Sequence, residues 1–310
     1  MGPIDIPLDG PLDLRSTLSP LVRGNGDRTI RLAVDRAWLT TRTTDGPATV
    51  VLTARPTTVT ANAWGPGAAT ALERCRHLFG SATGSLADAP DDPLRRLARR
   101  HPGIRVLRTG SVLDTLVAAI VEQKVTGSEA HRVWHGLVRR HGEDAPLPES
   151  GEGLGGSVHS GLGLRVFPSA ATLAGLPYWS YHELGLERRR AELIRAIASR
   201  PGPFEAIVDL PLLEANARLR SVPGIGPWTA AEVAVRALGD IDAVSVGDFH
   251  LPNLVAWTLA GEPRADDARM LELLEPYRGR RALAVRLIEH AGRRVPRYGP
   301  RLSPRRIEAI

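Results

Sequence analysis

Hydrophobic positions along this chain change their period near residue 111. Between residues 28 and 64 they alternate: Ile30, Leu32 and Val34 lie two apart, Ala48 to Ala54 is β-branched and apolar, and Val59, Ala61 and Ala63 alternate again. Period two marks strands with one buried face. Helical patterns follow at about 67–79 and 92–100, so a compact α+β unit is expected to close near Pro102.

After Ser111, a candidate N-cap, Leu113, Leu116, Val117, Ile120 and Val121 recur at helical spacing and give way to the polar Glu122-Gln123-Lys124. That helix should end in a polar tip. Further helices are expected at about 128–140, 187–199, 211–219, 228–238, 249–260, 266–275 and 280–292, with short Gly- or Pro-bearing turns between them. The fold class is therefore mainly α, a helical bundle behind an N-terminal α+β domain carrying an antiparallel sheet. Residues 1–27 are read as an N-terminal extension, 28–105 as the sheet domain, 106–294 as the helical domain and 295–310 as a basic tail.

Residues 143–166 are rich in Gly, Ser and Pro and contain GEGLGG, which has the G-x-G-x-x-G spacing of dinucleotide sites. That fingerprint works only where a strand hands over to a helix facing the pyrophosphate, and no strand pattern precedes Gly151. It is read as a decoy.

With 310 residues and 43% hydrophobic content, the chain can build roughly two or three packed cores. The opening MGPIDIPLDG lacks the pattern of a secretory signal, and no run approaches the roughly 20 apolar residues of a membrane span. A cytoplasmic location is the default expectation. Cys75 is the only cysteine, which excludes an intramolecular disulfide or a multi-cysteine cluster and leaves a small buried hydrophobe. The nine histidines show no metal-binding helical spacing, so no metal is expected. The net charge of +6 is uneven: from Arg278 to Ile310 ten Arg face only Glu289 and Glu308, a net +8, leaving −2 for the rest. A basic end on a near-neutral body points to a polyanion such as nucleic acid.

The densest punctuation is VPGIGPWTAAE, residues 222–232. Gly224 and Gly226 can take positive φ, letting the backbone reverse while Ile225 plugs inward. Pro227 suits a first helical position, so the N–H groups of Trp228, Thr229 and Ala230 should point off the helix end, where the dipole is positive and phosphate binds. Such a contact grips the sugar-phosphate backbone and reads no bases.

The stretch PGIGPWTA, Pro223 to Ala230, together with SVGDFH around Asp248, the helix tip VEQKVT at 121–126 and the strand-rich N-terminal domain, resembles the helix-hairpin-helix DNA glycosylases of the 3-methyladenine (AlkA-like) type. The resemblance runs from about residue 28 to about 294. It implies a helical bundle in two subdomains with the hairpin motif at about 211–238, Asp248 as the catalytic residue, and a DNA interface at Gly224, Ile225, Gly226, Trp228, Thr229, Gln123, Lys124 and Val125. The base pocket it implies has aromatic walls: Trp228 first, then Tyr277 and Phe249, with Trp179 a weaker candidate. Double-stranded DNA with damaged bases is the implied partner and a monomer the expected state. No cofactor is implied beyond a monovalent cation at the hairpin.

Breaking the C–N bond to deoxyribose develops positive charge on the sugar, which a nearby carboxylate stabilises. An alkylated purine already carries positive charge and departs neutral, so one fixed anion suffices. Asp248 also precedes the apolar run Leu251, Leu254, Val255 and Trp257 and reads as an N-cap. The two roles are compatible, since helix N–H groups would aim the carboxylate and occupy its lone pairs. Its expected action is chiefly electrostatic. The helix from Trp228 to Leu238 rises about 15 Å, and residues 239–247 are enough to return Asp248 to the hairpin. The target nucleotide must be rotated out of the duplex, and an indole face attracts a cationic base by about 0.5–2 kcal/mol.

Related bifunctional enzymes place a lysine where Trp228 stands and form a Schiff base. Lys124 is the only lysine of this chain. A monofunctional glycosylase, acting in the first step of base excision repair, is therefore expected. Three departures from the family pattern stand out. Pro227 occupies a position often basic, for which Arg293, Arg294 or the tail would compensate. Lys124 falls where relatives insert an apolar wedge, leaving Val125 or the Lys124 stem for that task. His250 has no counterpart and is read as surface. Two alternatives stay open: a non-catalytic binder of damaged or bent DNA, and a lyase acting through Lys124.

Overall fold

The computed structural model describes residues 2–89, 92–148, 163–293, 295–296 and 307. GEGLGG, Arg294 and nearly all of the basic tail lie outside the described residues. Strands β1 (Ile4–Pro7), β2 (Ile30–Leu32), β3 (Arg36–Thr43), β4 (Gly46–Arg55) and β5 (Thr58–Trp64) form an antiparallel sheet in the order β1-β5-β4-β3-β2. Ala48, Val50 and Leu52 of β4 and Val59 and Ala61 of β5 bury one face against α1 (Leu14–Leu18) and α2 (Ala68–Cys75). Cys75 is buried there, and burial pushes its thiol up to about 12, an inert thiol at neutral pH.

Among the described residues, 2–27 are not an extension. β1 pairs with β5 in the register Ile6 to Val59, and Leu14 and Leu18 are buried in the same core. The expected alternation also stops one step early, because Val34 is 81% exposed where the chain turns between β2 and β3.

β6 (Phe79–Ala82) pairs with β7 (Arg105–Leu107) across α3 (Asp92–Arg100). The position of α3 corrects the expected α+β unit: Leu94 and Ala98 pack into the core of the C-terminal helices, not under the sheet.

The first helical core surrounds α4 (Val112–Glu122), whose residues Val112 to Val121 are buried except Asp114. A helix apolar nearly all round belongs in the centre of a bundle. Ser111 precedes it, but its hydroxyl faces Thr41 Oγ1 at 3.1 Å instead of capping the helix. Helix α5 (Gly127–His141) begins with a reciprocal cap between Thr126 and Glu129. The short pair β8 (Glu143–Asp144) and β9 (Arg165–Val166) follows, then α6 (Ala170–Gly175), α7 (Tyr178–His182), α8 (Arg188–Ala198), α9 (Gly202–Glu205), α10 (Leu212–Arg220) and α11 (Pro227–Val233). Leu116, Leu137, Ile194, Leu219, Ile225 and Val233 meet in this core.

α11 continues as a π-helical turn over Ala234–Leu238 and ends at Gly239 with φ +75°. A loop then leads to α12 (Leu251–Leu259), α13 (Asp267–Leu274) and α14 (Arg281–Ala291), which with α3 bury the second helical core. The bundle thus has two cores, and the loop of residues 240–250 packs Ile241, Val244 and Val246 against the second. No described helix is long and apolar enough to cross a membrane.

Candidate active site

The hairpin turns at Gly224, whose φ of +98° is reserved for glycine, and an added Cβ there would lie 2.9 Å from Leu193 Cδ2. Ile225 is 5% exposed and plugs the first core, and its N–H donates to the Val222 carbonyl at 3.0 Å. Gly226 differs from expectation: its φ of −89° and ψ of 179° are ordinary extended backbone. An added Cβ at Gly226 would meet nothing within 4 Å, so this peptide faces open space. Pro227 opens α11 as expected. The Ala230 N–H already donates to the Gly226 carbonyl at 3.0 Å, so only Trp228 and Thr229 keep N–H groups free of an intrahelical acceptor.

Gln123 ties the α4 tip to this hairpin. Its Nε2 donates to the Gly224 carbonyl at 3.1 Å and to Thr229 Oγ1 at 2.9 Å. Beyond it Lys124 is exposed with φ +53°, a left-handed conformation uncommon for a residue with a Cβ. Val125 is half-buried against the first core, which leaves Lys124 as the projecting residue of the pair.

The loop of residues 240–250 is pinned before it delivers Asp248. Asp242 accepts from Arg281 Nε at 2.9 Å and Nη2 at 2.6 Å and from the Gly279 N–H at 2.7 Å. The N–H of Gly247 donates to Asp267 at 3.1 Å. Asp248 Oδ1 then accepts the N–H groups of His250 at 2.7 Å and Leu251 at 2.8 Å. The cap position of α12 is His250 itself, so Asp248 does the capping from two residues upstream. Its Oδ2 accepts Trp228 Nε1–H at 3.0 Å, bridging the hairpin helix to the loop. Three donors therefore fix the carboxylate in position and rotation.

Asp248 lines a cavity of about 290 Å³ walled by Glu232 and Arg236, by β7, by Pro20 and by Leu251 and Val285 of the second helical core. The cavity does not have the expected aromatic walls. Tyr277 is 1% exposed and fills the second core, where the turn of residues 275–277 points its ring inward. Phe249 is 76% exposed and packs edge-on against His250, whose ring centroid is 4.9 Å away. Trp179, on α7, is 62% exposed, and none of the three lines the cavity. Trp228 does not line it either, although its indole N–H reaches Asp248, which does. His250 is exposed, as read from the sequence, and also borders the cavity.

Charged side chains take the place of the rings. Arg236 Nη1 pairs with Glu232 at 2.5 Å and with Glu122 at 3.6 Å, and Arg23 pairs with Glu122 at 3.7 Å. The Ser245 hydroxyl donates to Glu232 Oε1 at 2.5 Å, while the Ser245 carbonyl accepts the Asp248 N–H at 3.2 Å. Burial pushes the Glu232 carboxyl above the usual carboxylate range, against the opposing pull of Arg236 and Ser245. Sequence reading missed this network. Its signal was Glu232 and Arg236 standing four apart on an otherwise apolar helix, a spacing easily taken for a solvent-facing pair. Among the described residues no group of three or more His, Cys, Asp or Glu could hold a metal ion.

No family model matches the chain. A Mycobacterium tuberculosis protein named "Probable bifunctional transcriptional activator/DNA repair enzyme AlkA" is 29% identical over 190 residues, 59% of this chain and 35% of its own length. The Bacillus subtilis protein "Putative DNA-3-methyladenine glycosylase YfjP" is 24% identical over 191 residues, 59% of this chain and 61% of its own. The matched region thus spans about a third to three fifths of these curated relatives. Among solved structures, a 3-methyladenine DNA-glycosylase from Archaeoglobus fulgidus superposes with a TM-score of 0.74 at 20% identity, covering 92% of this chain and 97% of that one. The chain is thus similar over 59% of its length to proteins named as a DNA repair enzyme and a 3-methyladenine glycosylase, and it shares the fold of the solved 3-methyladenine DNA-glycosylase.

Proposed function

We propose that this chain is a monofunctional DNA glycosylase that removes alkylated bases by hydrolysing the N-glycosidic bond of a flipped nucleotide. The observation that carries this reading is the Asp248 carboxylate, held by three donors at the rim of a cavity and joined by one of them to the glycine-turned hairpin. The hairpin supplies the grip: an open backbone at Gly226 and the free N–H groups of Trp228 and Thr229 meet a phosphate. The extruded sugar then lies against Asp248, whose fixed negative charge stabilises the cationic transition state. With three of its four lone-pair directions taken by His250, Leu251 and Trp228, Asp248 acts through charge more than by taking a proton from water.

Trp228 occupies the hairpin position where a Schiff-base lysine would act, and its N–H is spent on Asp248. Lys124, the only lysine, projects from the α4 tip and serves as the wedge that fills the vacated stack with its aliphatic stem. A monovalent cation at the hairpin would be held by backbone carbonyls. Those of Val222 and Gly224 each accept one hydrogen bond and keep a second lone pair.

The test is base release from duplexes carrying 3-methyladenine, 7-methylguanine, ethenoadenine, hypoxanthine or uracil, with abasic sites revealed by alkali. Release that is lost in Asp248→Asn, with duplex affinity kept, is the expected result. No release from any lesion would turn the reading into that of a DNA binder. Strand cleavage without alkali and borohydride trapping lost in Lys124→Ala would make it a lyase.

A further inference from the structure

The cavity beside Asp248 presents an unusual wall for a base. Three carboxylates, Glu232, Asp248 and Glu289, and three guanidinium groups, Arg105, Arg236 and Arg286, line it, together with aliphatic side chains such as Val235 and Leu254. The charges balance in number, so the wall has no overall preference for a cation. The aromatic faces that would hold a cationic base by stacking lie elsewhere, with Tyr277 in the core and Phe249 at the surface. Hydrogen bonding is the recognition such a wall offers.

Two of these groups are placed for it. Glu232 and Arg236 are one helical turn apart, ion-paired at 2.5 Å, and keep 13% and 22% of their side-chain surface open. Both line the cavity, so that open surface faces it. Glu232 Oε1 accepts from Ser245 and Oε2 meets Arg236, yet each carboxylate oxygen has a second lone-pair direction. Both Arg236 ion pairs run through Nη1, and the guanidinium fork carries donors on its other nitrogens. The pair therefore shows an acceptor beside a donor, fixed by Ser245 on one side and Glu122 on the other. Ser245 also binds the Asp248 backbone, so the pair and the catalytic carboxylate share one rigid frame.

We propose that Glu232 and Arg236 are specificity-determining residues that read the base, accepting a ring N–H and donating to the adjacent carbonyl. The matching substrate class is an uncharged lesion whose edge carries N–H beside C=O, of which hypoxanthine is the simplest purine. This inference rests on the glycosylase reading above and adds to it a preference that charge attraction to alkylated bases does not explain.

Single-turnover excision of hypoxanthine and of 3-methyladenine from duplexes tests it, since 3-methyladenine has neither an N1–H nor a C6 carbonyl. Glu232→Gln replaces one acceptor oxygen by a donor at constant size, so the ratio of the hypoxanthine rate to the 3-methyladenine rate should fall at least about tenfold. A purely structural role would lower both rates in parallel, and an unchanged ratio overturns the proposal. Inhibition of the unmodified protein by free bases gives a second arm that needs no variant. Free hypoxanthine should inhibit 3-methyladenine release at a concentration at least about tenfold below that of free purine, which lacks the N1–H and the C6 carbonyl. Equal inhibition by the two also overturns it. In either failure 3-methyladenine release still upholds the glycosylase reading, whereas release of neither base removes that reading and this inference together.

Discussion

Two glycines two residues apart in the hairpin should behave oppositely when each is changed to alanine. At Gly224 the backbone has φ +98°, and the new Cβ would lie 2.9 Å from Leu193 Cδ2. Holding an L-residue in left-handed backbone costs roughly 1–2 kcal/mol. Moving the end of a half-buried leucine off its preferred rotamer adds about 1 kcal/mol, so Gly224→Ala should destabilise by about 2–3 kcal/mol. Gly226 has φ −89° and nothing within 4 Å of the added carbon. Alanine there restricts the unfolded chain without straining the folded one and should stabilise by up to about 1 kcal/mol. Its methyl group would nevertheless stand where a phosphate oxygen must approach, so duplex affinity should drop by about three- to tenfold. Urea unfolding followed by tryptophan fluorescence, with duplex binding measured by anisotropy at fixed salt, separates the two effects. Equal destabilisation by both substitutions would refute the turn geometry, and undiminished affinity in Gly226→Ala would refute the backbone grip.

Trp228→Phe keeps a ring beside Asp248 but removes the donor to its Oδ2, and loss of a charge-assisted bond of about 1.5 kcal/mol should lower kcat by about tenfold with KM little changed, as steady-state excision would show. Gln123→Ala cuts both bonds between the α4 tip and the hairpin and should cost about 1–3 kcal/mol in urea unfolding. Asp114 lines a separate cavity of about 120 Å³, and burial pushes its carboxyl up to about 6 against the partial pull of Arg42, Arg74 and Arg23. Since that lies above an unfolded value of about 3.9, the folded chain keeps a proton that the unfolded chain loses. The stabilisation is complete below pH of about 4 and fades as pH rises through about 6, by on the order of 3 kcal/mol. Asp114→Asn should remove that slope, so its stability relative to the unmodified chain should climb between those pH values in paired urea melts.

The parts of the fold written in local pattern could be read before any coordinates. β4 follows its β-branched apolar run and β5 its period-two run, and α4, α8, α10 and α14 begin within a residue or two of expectation because short turns bound them. The misses have a common cause in long-range pairing. β3 places Ala37, Trp38 and Leu39 in succession and becomes a strand by pairing with β4. α3 is amphipathic by sequence, but nothing local says which core receives its apolar face. At the site, Asp248, Trp228 and Gln123 were legible through their motifs. Tyr277 was not, because resemblance marks a position and packing decides whether its ring faces the cavity or the core. Glu232 and Arg236 were hidden for the converse reason, since a charged pair at helical spacing looks the same whether it faces bulk water or an interior cavity.

The early helix α3, lodged among α12, α13 and α14, sets the order in which the chain can be completed. A segment made before residue 101 meets only Leu86, Ala89, Ile104 and Val106 of its core until residues 251–291 have left the ribosome, so most partners of Leu94 and Ala98 arrive after about half of the chain more has been made. The wall that carries Asp248 is the last to solidify. A nascent chain can therefore hold a finished hairpin without yet possessing a finished cleft, and a cut near residue 105 would divide one core between two fragments.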